Sequence, residues 1–380
     1  MNLALHEFHQ RLGAGFTTVN GVEAVADYGD ALAEHAALRE TVGVLDLSFR
    51  GRLCLTGADR VRFLHGQVTN DVKKLRVGEG CYAALVTAKG RMVSDLNIFA
   101  LQDELLLDFE PGLTQIVTER LEKHVVADDV QVVDVAPHYG LFSVQGPEAE
   151  ALVRALGLFT QLPAKPLDSV NNSGAAPGET YLMNQPRLAP PASAGISDLH
   201  IEPIVISGLD LFVPMDSLGA VADQLIAAAK SVGGRVCGWT AFEIARIESG
   251  IPRFGADMDA TNLPLECGIE SRGVSYTKGC YIGQEVINRV HTIGHVNREL
   301  VGLRLTDDLK TLPAKGDKLF KDGKEVGYIT SAVFSPALKA NIALGFVRRE
   351  ATTPGTRLRM RTVAQEHEVA VVTLPFTAHE

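Results

Sequence analysis

The pattern of the chain changes near residue 297, and this change most constrains its fold. From 297 to 380, short strand-like runs are separated by Gly, Asp and Pro, and no long run has a helical period. Such a pattern is typical of a separate β-barrel or sandwich. Before residue 290, strand-like and helix-like runs mix without strict alternation. The sequence therefore predicts an α+β fold that is followed by an all-β domain.

The length of 380 residues also requires more than one hydrophobic core. A single core rarely grows beyond roughly 250–300 residues, so two or three domains are expected. The stretch 161–191 contains six of the 17 prolines, and we interpret it as a loop or irregular insertion.

Local signals place strands and helices along the first 290 residues. Period-two runs predict strands at 44–56, 81–88, 92–100, 104–109, 130–135, 140–145, 200–206 and 210–213. Helical periodicity and end signals predict helices over 58–65, from Pro111, from Pro147 to about 156, after an Asp216 cap, and after a Thr240–Glu243 capping box.

Charge and cysteine content limit the partners and the compartment. The chain has 36 Lys+Arg against 46 Asp+Glu, a net charge of −10, which makes direct nucleic-acid binding a poor expectation. Five scattered cysteines without a Cys-x-x-Cys pair favour a reducing compartment. Without a secretory signal or a long apolar run, we predict a cytoplasmic protein with no membrane partner.

The most unusual string is KGCYIGQE, from Lys278 to Glu285. Gly279 and Gly283 permit tight turns, which place Cys280 on an exposed loop. A nearby cation such as Lys278 stabilises a thiolate and lowers the pKa of its cysteine. The alternative is that Cys280 is an inert, buried filler beside a turn, as free cysteines often are.

A second candidate is the turn TAKGRMVSD, which contains Lys89, Arg91 and Asp95. If Asp95 points inward from its strand, the carboxylate must be hydrogen-bonded or functional, because burying a bare charge is costly. The alternative is a solvent-facing strand residue. His291 and His295 have the helical spacing of metal ligands, but a third ligand is missing and no metal site is predicted.

Several motifs together resemble a known family. KGCYIGQE, FLHGQVTNDV at 63–72, TAKGRMVSD at 87–95 and RIESGIP at 246–252 resemble the YgfZ family of folate-binding proteins. From about residue 25 onward, the chain also resembles the aminomethyltransferase (T-protein) of the glycine cleavage system. VLDLS at 44–48 belongs to that likeness.

The resemblance implies a fold and a cofactor. It implies three lobes around a central hole that holds tetrahydrofolate or a one-carbon-substituted folate. Two intertwined lobes (44–137, and 1–43 with 138–290) form a folate-binding α+β region over 1–290. A C-terminal β-barrel domain follows over 297–380.

The resemblance also implies functions that sequence does not separate. The YgfZ branch assists iron–sulfur cluster assembly or repair in client enzymes, and thereby tRNA modification indirectly. The alternative is a folate-dependent aminomethyltransferase of T-protein type, and a third is a binding module that has lost folate. Whether the chain is an enzyme stays open. The implied partners are folate and iron–sulfur client or assembly proteins.

Residue roles follow from matching the motifs. The T-protein has an Asp-Asp pair where this chain has Ser94-Asp95, so one carboxylate is kept. The T-protein has Ser-His-Met where this chain has Ser48-Phe49-Arg50. The Glu that holds the pterin in the T-protein has no counterpart here. The implied catalytic residues are Cys280, Asp95 and Lys278, with Lys278 tuning the thiol. The implied folate-binding residues are Asn70, Tyr82, Lys89, Arg91, Asp95 and Arg246. Lys278 and Arg289 join Lys89, Arg91 and Arg246 as candidates for a cationic mouth that receives the folate carboxylates.

Overall fold

A computed structural model describes residues 2–172, 178–189, 207–361 and 366–376 of the chain. They form an α+β structure with three lobes, two built on open sheets and one a closed C-terminal barrel. An N-terminal helix, α1 (His6–Arg11), and a hairpin of β1 (Gly15–Val19) and β2 (Val22–Asp27) precede the lobes. The hairpin packs beneath a helix of the second lobe.

The first lobe is an antiparallel sheet with helices on one face. Its strands are β4 (Gly51–Thr56), β5 (Gly80–Val86), β6 (Met92–Ala100), β7 (Leu105–Phe109) and β8 (Gln131–Asp134), in the order β5-β6-β7-β4-β8. The helices α3 (Arg60–Gln67) and α4 (Thr114–Glu122) cover this sheet. Fully buried Leu53, Leu64 and Leu107 share its core, so the sheet is a stable platform for the side chains on its other face.

The second lobe is a mixed sheet of the order β10-β11-β12-β9-β3-β13. Its strands are β3 (Gly43–Asp46), β9 (Tyr139–Gln145), β10 (Ser169–Asn172), β11 (Thr180–Asn184), β12 (Gly208–Pro214) and β13 (Arg235–Val236). Pairing is antiparallel except between β13 and β3. The helices are α2 (Ala31–Glu40), α5 (Ala149–Ala155), α6 (Leu218–Ser231) and α7 (Trp239–Glu248).

The third lobe closes into a barrel, as the sequence pattern predicts. Its strands are β14 (Arg298–Leu305), β15 (Lys318–Lys321), β16 (Lys324–Ser335), β17 (Ala340–Arg348), β18 (Arg357–Arg361) and β19 (Glu366–Val372), in the closed order β14-β17-β16-β15-β18-β19. Two short helices, α8 (Glu270–Gly273) and α9 (Gln284–Thr292), lie between α7 and the barrel. Helix α7 packs against β16 and β17 and thereby joins the second lobe to the barrel.

Several local predictions were wrong. The stretch 161–191 is not simply a loop, because β10 and β11 lie within it and pair with each other. Helix α4 begins at Thr114 rather than at Pro111, and α7 begins at Trp239 after a Gly238 cap. Glu243 turns toward arginines instead of closing a capping box. Asp216 lies in a 3₁₀ turn, so it is not the cap of α6.

Two expectations about the remaining elements differ in their outcome. The strand predicted at 210–213 is confirmed as part of β12, whereas the one at 200–206 lies outside the described residues. The division into domains at the boundaries given above stays a prediction.

Candidate functional site

Asp95 lies on β6 with one carboxylate oxygen uncommitted. The hydroxyl of Tyr82, on the neighbouring strand β5, donates to Asp95 Oδ2 at 3.0 Å. The other oxygen, Oδ1, is buried and has no hydrogen-bond partner among the described residues. Buried polar atoms are nearly always paired, so this acceptor is available to a donor that is not among the described residues.

The surroundings of Asp95 favour its protonated form. Burial raises the pKa of Asp95, and the negative charge of Glu110 raises it further. The Tyr82 hydroxyl, Arg50 and Arg272 act in the opposite direction without cancelling the rise. Asp95 can therefore hold a proton at a higher pH than an exposed aspartate can.

Arg272 completes this group of side chains. Its guanidinium carbon lies 4.3 Å from the centre of the Tyr82 ring, in a cation–π arrangement. We call Tyr82, Asp95 and Arg272 together the Tyr82 site. Tyr82 also shares an apolar cluster with Phe346 of the barrel, so the site lies where the first lobe and the barrel meet.

Asn70 positions the Tyr82 site from behind. Its side-chain Nδ2 donates to the backbone carbonyls of Tyr82 at 2.8 Å and Arg272 at 3.0 Å. Its own carbonyl accepts from Lys278 Nζ at 2.9 Å. Asn70, which was predicted to touch folate, thus links FLHGQVTNDV to the strand and helix that carry the site.

Lys278 is an internal support rather than a surface cation. It is buried, and Nζ donates to the carbonyls of His65 and Val68 at 2.6 Å each, in addition to Asn70. These three bonds use all three ammonium donors and satisfy carbonyls at the end of α3. Burial lowers the pKa of Lys278 to about 8. With its donors committed to carbonyls, the predicted tuning of Cys280 has no hydrogen-bonding basis.

Cys280 itself is exposed, so the alternative of a buried filler was wrong. The next residue, Tyr281, turns inward and packs in the apolar cluster that contains Tyr82 and Met92. The amide of Ile282 donates to the carbonyl of Gly66 at 3.1 Å and fixes the loop against the end of α3. The cysteine motif therefore packs along FLHGQVTNDV and presents its thiol outward.

A series of ion pairs joins the three lobes and acts electrostatically on Asp95. Carboxylates and arginines alternate in a continuous series of contacts between 2.5 and 2.9 Å, which we call the ion-pair chain: Asp210, Arg187, Asp108, Arg50, Glu110, Arg253, Glu243, Arg246 and Asp257. Thr330 and Ser331 of the barrel donate to Asp257 and end it. Burial would raise the pKa of Asp108, but Arg187 and Arg50 hold it well below its usual range.

Arg246 belongs to this chain and offers nothing further to a ligand. Its guanidinium donates five hydrogen bonds, to Glu243 twice, Asp257, Ser331 and the carbonyl of Ile251. A guanidinium has five N–H donors, so this one is saturated. In this conformation, Arg246 holds α7 to the barrel and does not fit the predicted role of contacting folate.

The predicted cationic mouth is not assembled from its five candidates. Arg246 and Lys278 are buried and engaged, as described above. Lys89 and Arg91 are exposed on the β5–β6 turn, where Arg91 Nη1 donates to the carbonyl of Thr261. Arg91 precedes Asp95 by four strand residues, or roughly 13 Å. Arg289 is exposed on α9.

Sequence reasoning missed Arg272 and Glu110. Arg272 lies outside the motifs, in a helix of four residues that is too short to show a helical periodicity in the sequence. Glu110 follows β7 and accepts from both Arg50 and Arg253. Arg50 was noted only as a departure from the T-protein pattern. An arginine at that departure is the one signal that pointed toward buried acidic partners.

Two domain models of the glycine cleavage T-protein match most of this chain. The GCVT N-terminal domain model matches residues 5–165 and 207–277, and the glycine cleavage T-protein C-terminal barrel domain model matches 298–377. The chain belongs to the glycine cleavage T-protein family. The relationship to the T-protein that the motifs imply is thereby confirmed.

Individual T-protein relatives agree along nearly the whole chain. An aminomethyltransferase of Corynebacterium jeikeium (strain K411) is 28% identical over 394 residues, covering 99% of this chain and 98% of the relative. One of Shouchella clausii (strain KSM-K16) is 27% identical over 373 residues, covering 98% and 96%. These names favour the T-protein side of the resemblance. They give no support to iron–sulfur assembly, tRNA modification or a YgfZ assignment.

A solved T-protein structure shares the fold. The crystal structure of glycine cleavage system aminomethyltransferase T from Bartonella henselae superimposes with a TM-score of 0.86 at 22% identity, covering 100% of this chain and 98% of that one. In the described ranges of this chain, no helix has the length and apolar character that a membrane crossing needs.

Proposed function

We propose that this chain is a folate-dependent one-carbon transferase of T-protein type. The observation that carries the proposal is the buried, unpartnered Oδ1 of Asp95, whose other oxygen is held by Tyr82. Reduced folate offers amine N–H donors that fit such an acceptor. Bound tetrahydrofolate supplies the nitrogen atoms that receive the one-carbon group.

The proposed reaction moves the carbon of an aminomethyl thioether. That carbon ends bonded to two folate nitrogens, after its bonds to the carrier sulfur and to its amine have broken. Two N–H protons balance the change, one leaving with ammonia and one with the carrier thiol. Asp95 Oδ1 accepts an N–H from the ligand, and the protonated carboxyl donates to the leaving amine.

The raised pKa of Asp95 suits this exchange. A general acid works best when its pKa lies near the working pH, and burial with Glu110 moves Asp95 in that direction. Tyr82 and Asn70 keep the carboxylate and its strand in place. Asp210 pairs with Arg187 at 2.5 Å and plays no part in the proposal.

The test measures methylenetetrahydrofolate formed from an aminomethyl-lipoyl carrier. We expect turnover by the wild type and its loss in Asp95→Asn, with reduced folate still bound. Asp307→Asn is the matched control, because this aspartate is 73% exposed on the barrel. Absence of both turnover and folate binding at high micromolar concentration by the wild type would falsify the proposal.

One observation favours a second candidate, the YgfZ-type accessory role. Cys280 is exposed in a loop that is fixed on FLHGQVTNDV, which is where a thiol must lie to meet a protein partner or a cluster. Turnover that survives Cys280→Ser but not Asp95→Asn favours the transferase. Loss of iron–sulfur enzyme activity in cells carrying only Cys280→Ala favours the accessory role.

A further inference from the structure

Arg272 acts on the nearby Asp95 carboxyl only at a distance, by lowering its pKa against the larger effect of burial. It makes no ion pair with any described residue, and its Nε is buried without a hydrogen-bond partner. Its guanidinium carbon lies 4.3 Å from the centre of the Tyr82 ring, which is a cation–π contact. By contrast, Arg50, Arg187, Arg246 and Arg253 each contact carboxylates directly.

The position of Arg272 is fixed even though its charge is unpaired. Asn70 holds the carbonyl of Arg272, and Thr69 Oγ1 donates to the carbonyl of the next residue, Gly273, at 2.5 Å. A Cβ on Gly273 would lie 3.2 Å from the Tyr82 ring, so glycine permits this close approach. A guanidinium that is stacked and anchored in this way presents its planar donors with little further loss of entropy.

The geometry points to Arg272 as the anchor for a carboxylate of the ligand that meets Asp95. A partly buried guanidinium prefers a bidentate carboxylate over water, because its fork of N–H donors matches the two oxygens. The site would thus hold an amine N–H at Asp95 and a carboxylate at Arg272, on the two sides of Tyr82. This inference rests on the proposed function and names the second chemical group that the ligand must carry.

Two ligands could supply that carboxylate. One is the glutamyl end of the folate, and the other is a small amino acid bound beside it. Both share the same contact with Arg272, and both explain why this arginine, next to a carboxyl, has no direct ion pair among the described residues. Ligands that lack either the glutamyl group or the amino acid distinguish the two sources.

The experiment compares the wild type with Arg272→Gln by anaerobic titration calorimetry. The probes are tetrahydrofolate, the amide of tetrahydropteroate, which lacks the glutamate and carries no carboxylate, and glycine added to either. We expect Arg272→Gln to weaken tetrahydrofolate roughly tenfold or more, as for loss of a charge-assisted bond. The tetrahydropteroate amide should bind the wild type and the variant alike. Arg272→Lys should restore part of the affinity.

The controls separate folding from binding. Arg154→Gln is the matched substitution, since this arginine is 62% exposed and its ion pair is with the half-exposed Glu150 on its own helix. Thermal unfolding should give the same midpoint for all variants. If instead only the effect of glycine on folate binding is lost in Arg272→Gln, the carboxylate comes from the amino acid.

Two results overturn the inference. One is equal binding of every probe by the wild type and Arg272→Gln. The other is equal weakening of tetrahydrofolate and the tetrahydropteroate amide, which shows that Arg272 holds the pterin region or the fold and not a carboxylate. A wild type that binds neither folate removes the proposed function itself, and is recognised by the absence of heat in the first titration.

Discussion

The ion-pair chain and the Tyr82 site lie side by side but differ in how their charges are satisfied. In the ion-pair chain, each of the four arginines contacts at least one carboxylate, and Arg246 uses all five of its N–H donors. Among the described residues, Asp95 Oδ1 and Arg272 Nε of the Tyr82 site are buried without partners, and in the ion-pair chain so is Oδ1 of the terminal acid Asp210. Saturated charges stabilise a structure but leave no capacity for a ligand, whereas unsatisfied ones cost stability and can be used for chemistry.

Glu110 connects the two regions. It accepts from Arg50 and Arg253 as part of the ion-pair chain, and its charge raises the pKa of Asp95 in the Tyr82 site. The ion-pair chain therefore has two effects. It joins the lobes through side chains, and it sets the electrostatic background of the carboxyl that we propose to be catalytic.

The largest expected effect is on activity, in Asp95→Asn. We expect turnover to fall ~10²–10⁴-fold, as for loss of a general acid–base group. Stability should not fall with it. The unfolded carboxyl ionises near its ordinary value of 3.8, and the folded one ionises at higher pH. Because the folded state binds this proton more tightly, the free energy of unfolding decreases as pH rises through that interval.

Asparagine removes this pH-dependent cost. Urea unfolding at neutral pH should give Asp95→Asn a stability equal to or above that of the wild type. The difference should shrink on acidification toward pH 3.8. A clear loss of stability at neutral pH would mean that Asp95 belongs with the satisfied charges and not with the functional ones.

The next largest effect is on stability, in Arg246→Met. Removing this guanidinium leaves Asp257 and Glu243 beside each other without their shared cation. Arg246 and Arg253 overcome burial and lower the pKa of Glu243 to about 2, so this acid is ionised in the wild type and loses one of its two cations when Arg246 is removed. We expect a loss of roughly 3–5 kcal/mol, the usual cost of breaking a buried pair.

An exposed pair supplies the control for Arg246→Met. Arg357 contacts Glu368 with 78% and 59% of their side chains exposed, so Arg357→Met should change stability by less than about 1 kcal/mol. The readout is the midpoint of urea unfolding, measured separately with a probe in the barrel and a probe in α7. Equal effects of the two substitutions would contradict a special role for the ion-pair chain.

Lys278→Met should have an intermediate effect. It leaves the carbonyls of His65, Val68 and Asn70 without their donor in a buried place. We expect a loss of about 1–3 kcal/mol, typical of buried acceptors left unpaired. Lys318→Met is the control, because Lys318 pairs with Glu325 on the barrel surface. If Lys278→Met instead abolishes turnover at unchanged stability, Lys278 acts in catalysis.

Much of the fold could be predicted from sequence because its signals are local. The barrel follows from strand and turn patterns after residue 297, and β6 and the β5–β6 turn follow from alternation around Lys89-Gly90. The strands β10 and β11 were missed because Pro and Asn dominate their surroundings. β11 pairs with β12 and β10 with β11, and the long-range pairing of β11 with β12 outweighs weak local propensity.

The candidate site was only partly predictable, for a different reason. Motifs contain Asp95 and Asn70, which lie in strings with unusual composition, whereas Tyr82 lies outside the motifs and was supplied by the resemblance alone. Motifs also selected Arg246 and Lys278, but a string does not show whether a cation's donors are already used. Arg272 could not be found, since its unpaired state depends on residues from three segments that meet only in the folded chain.

The smallest expected effect on stability is that of Cys280→Ser, and it bears most directly on function. The thiol is exposed, so the free energy of unfolding should change by less than about 0.5 kcal/mol. Cys267→Ser is the matched control: Cys267 is fully buried, and placing a hydroxyl there should cost roughly 1–3 kcal/mol. Under the proposed transferase, Cys280→Ser keeps wild-type turnover, because the contacts that place Asp95, Tyr82 and Arg272 pass through Asn70 and not through the thiol. A variant that folds normally but loses turnover would move the chemistry from the Tyr82 site to the cysteine loop.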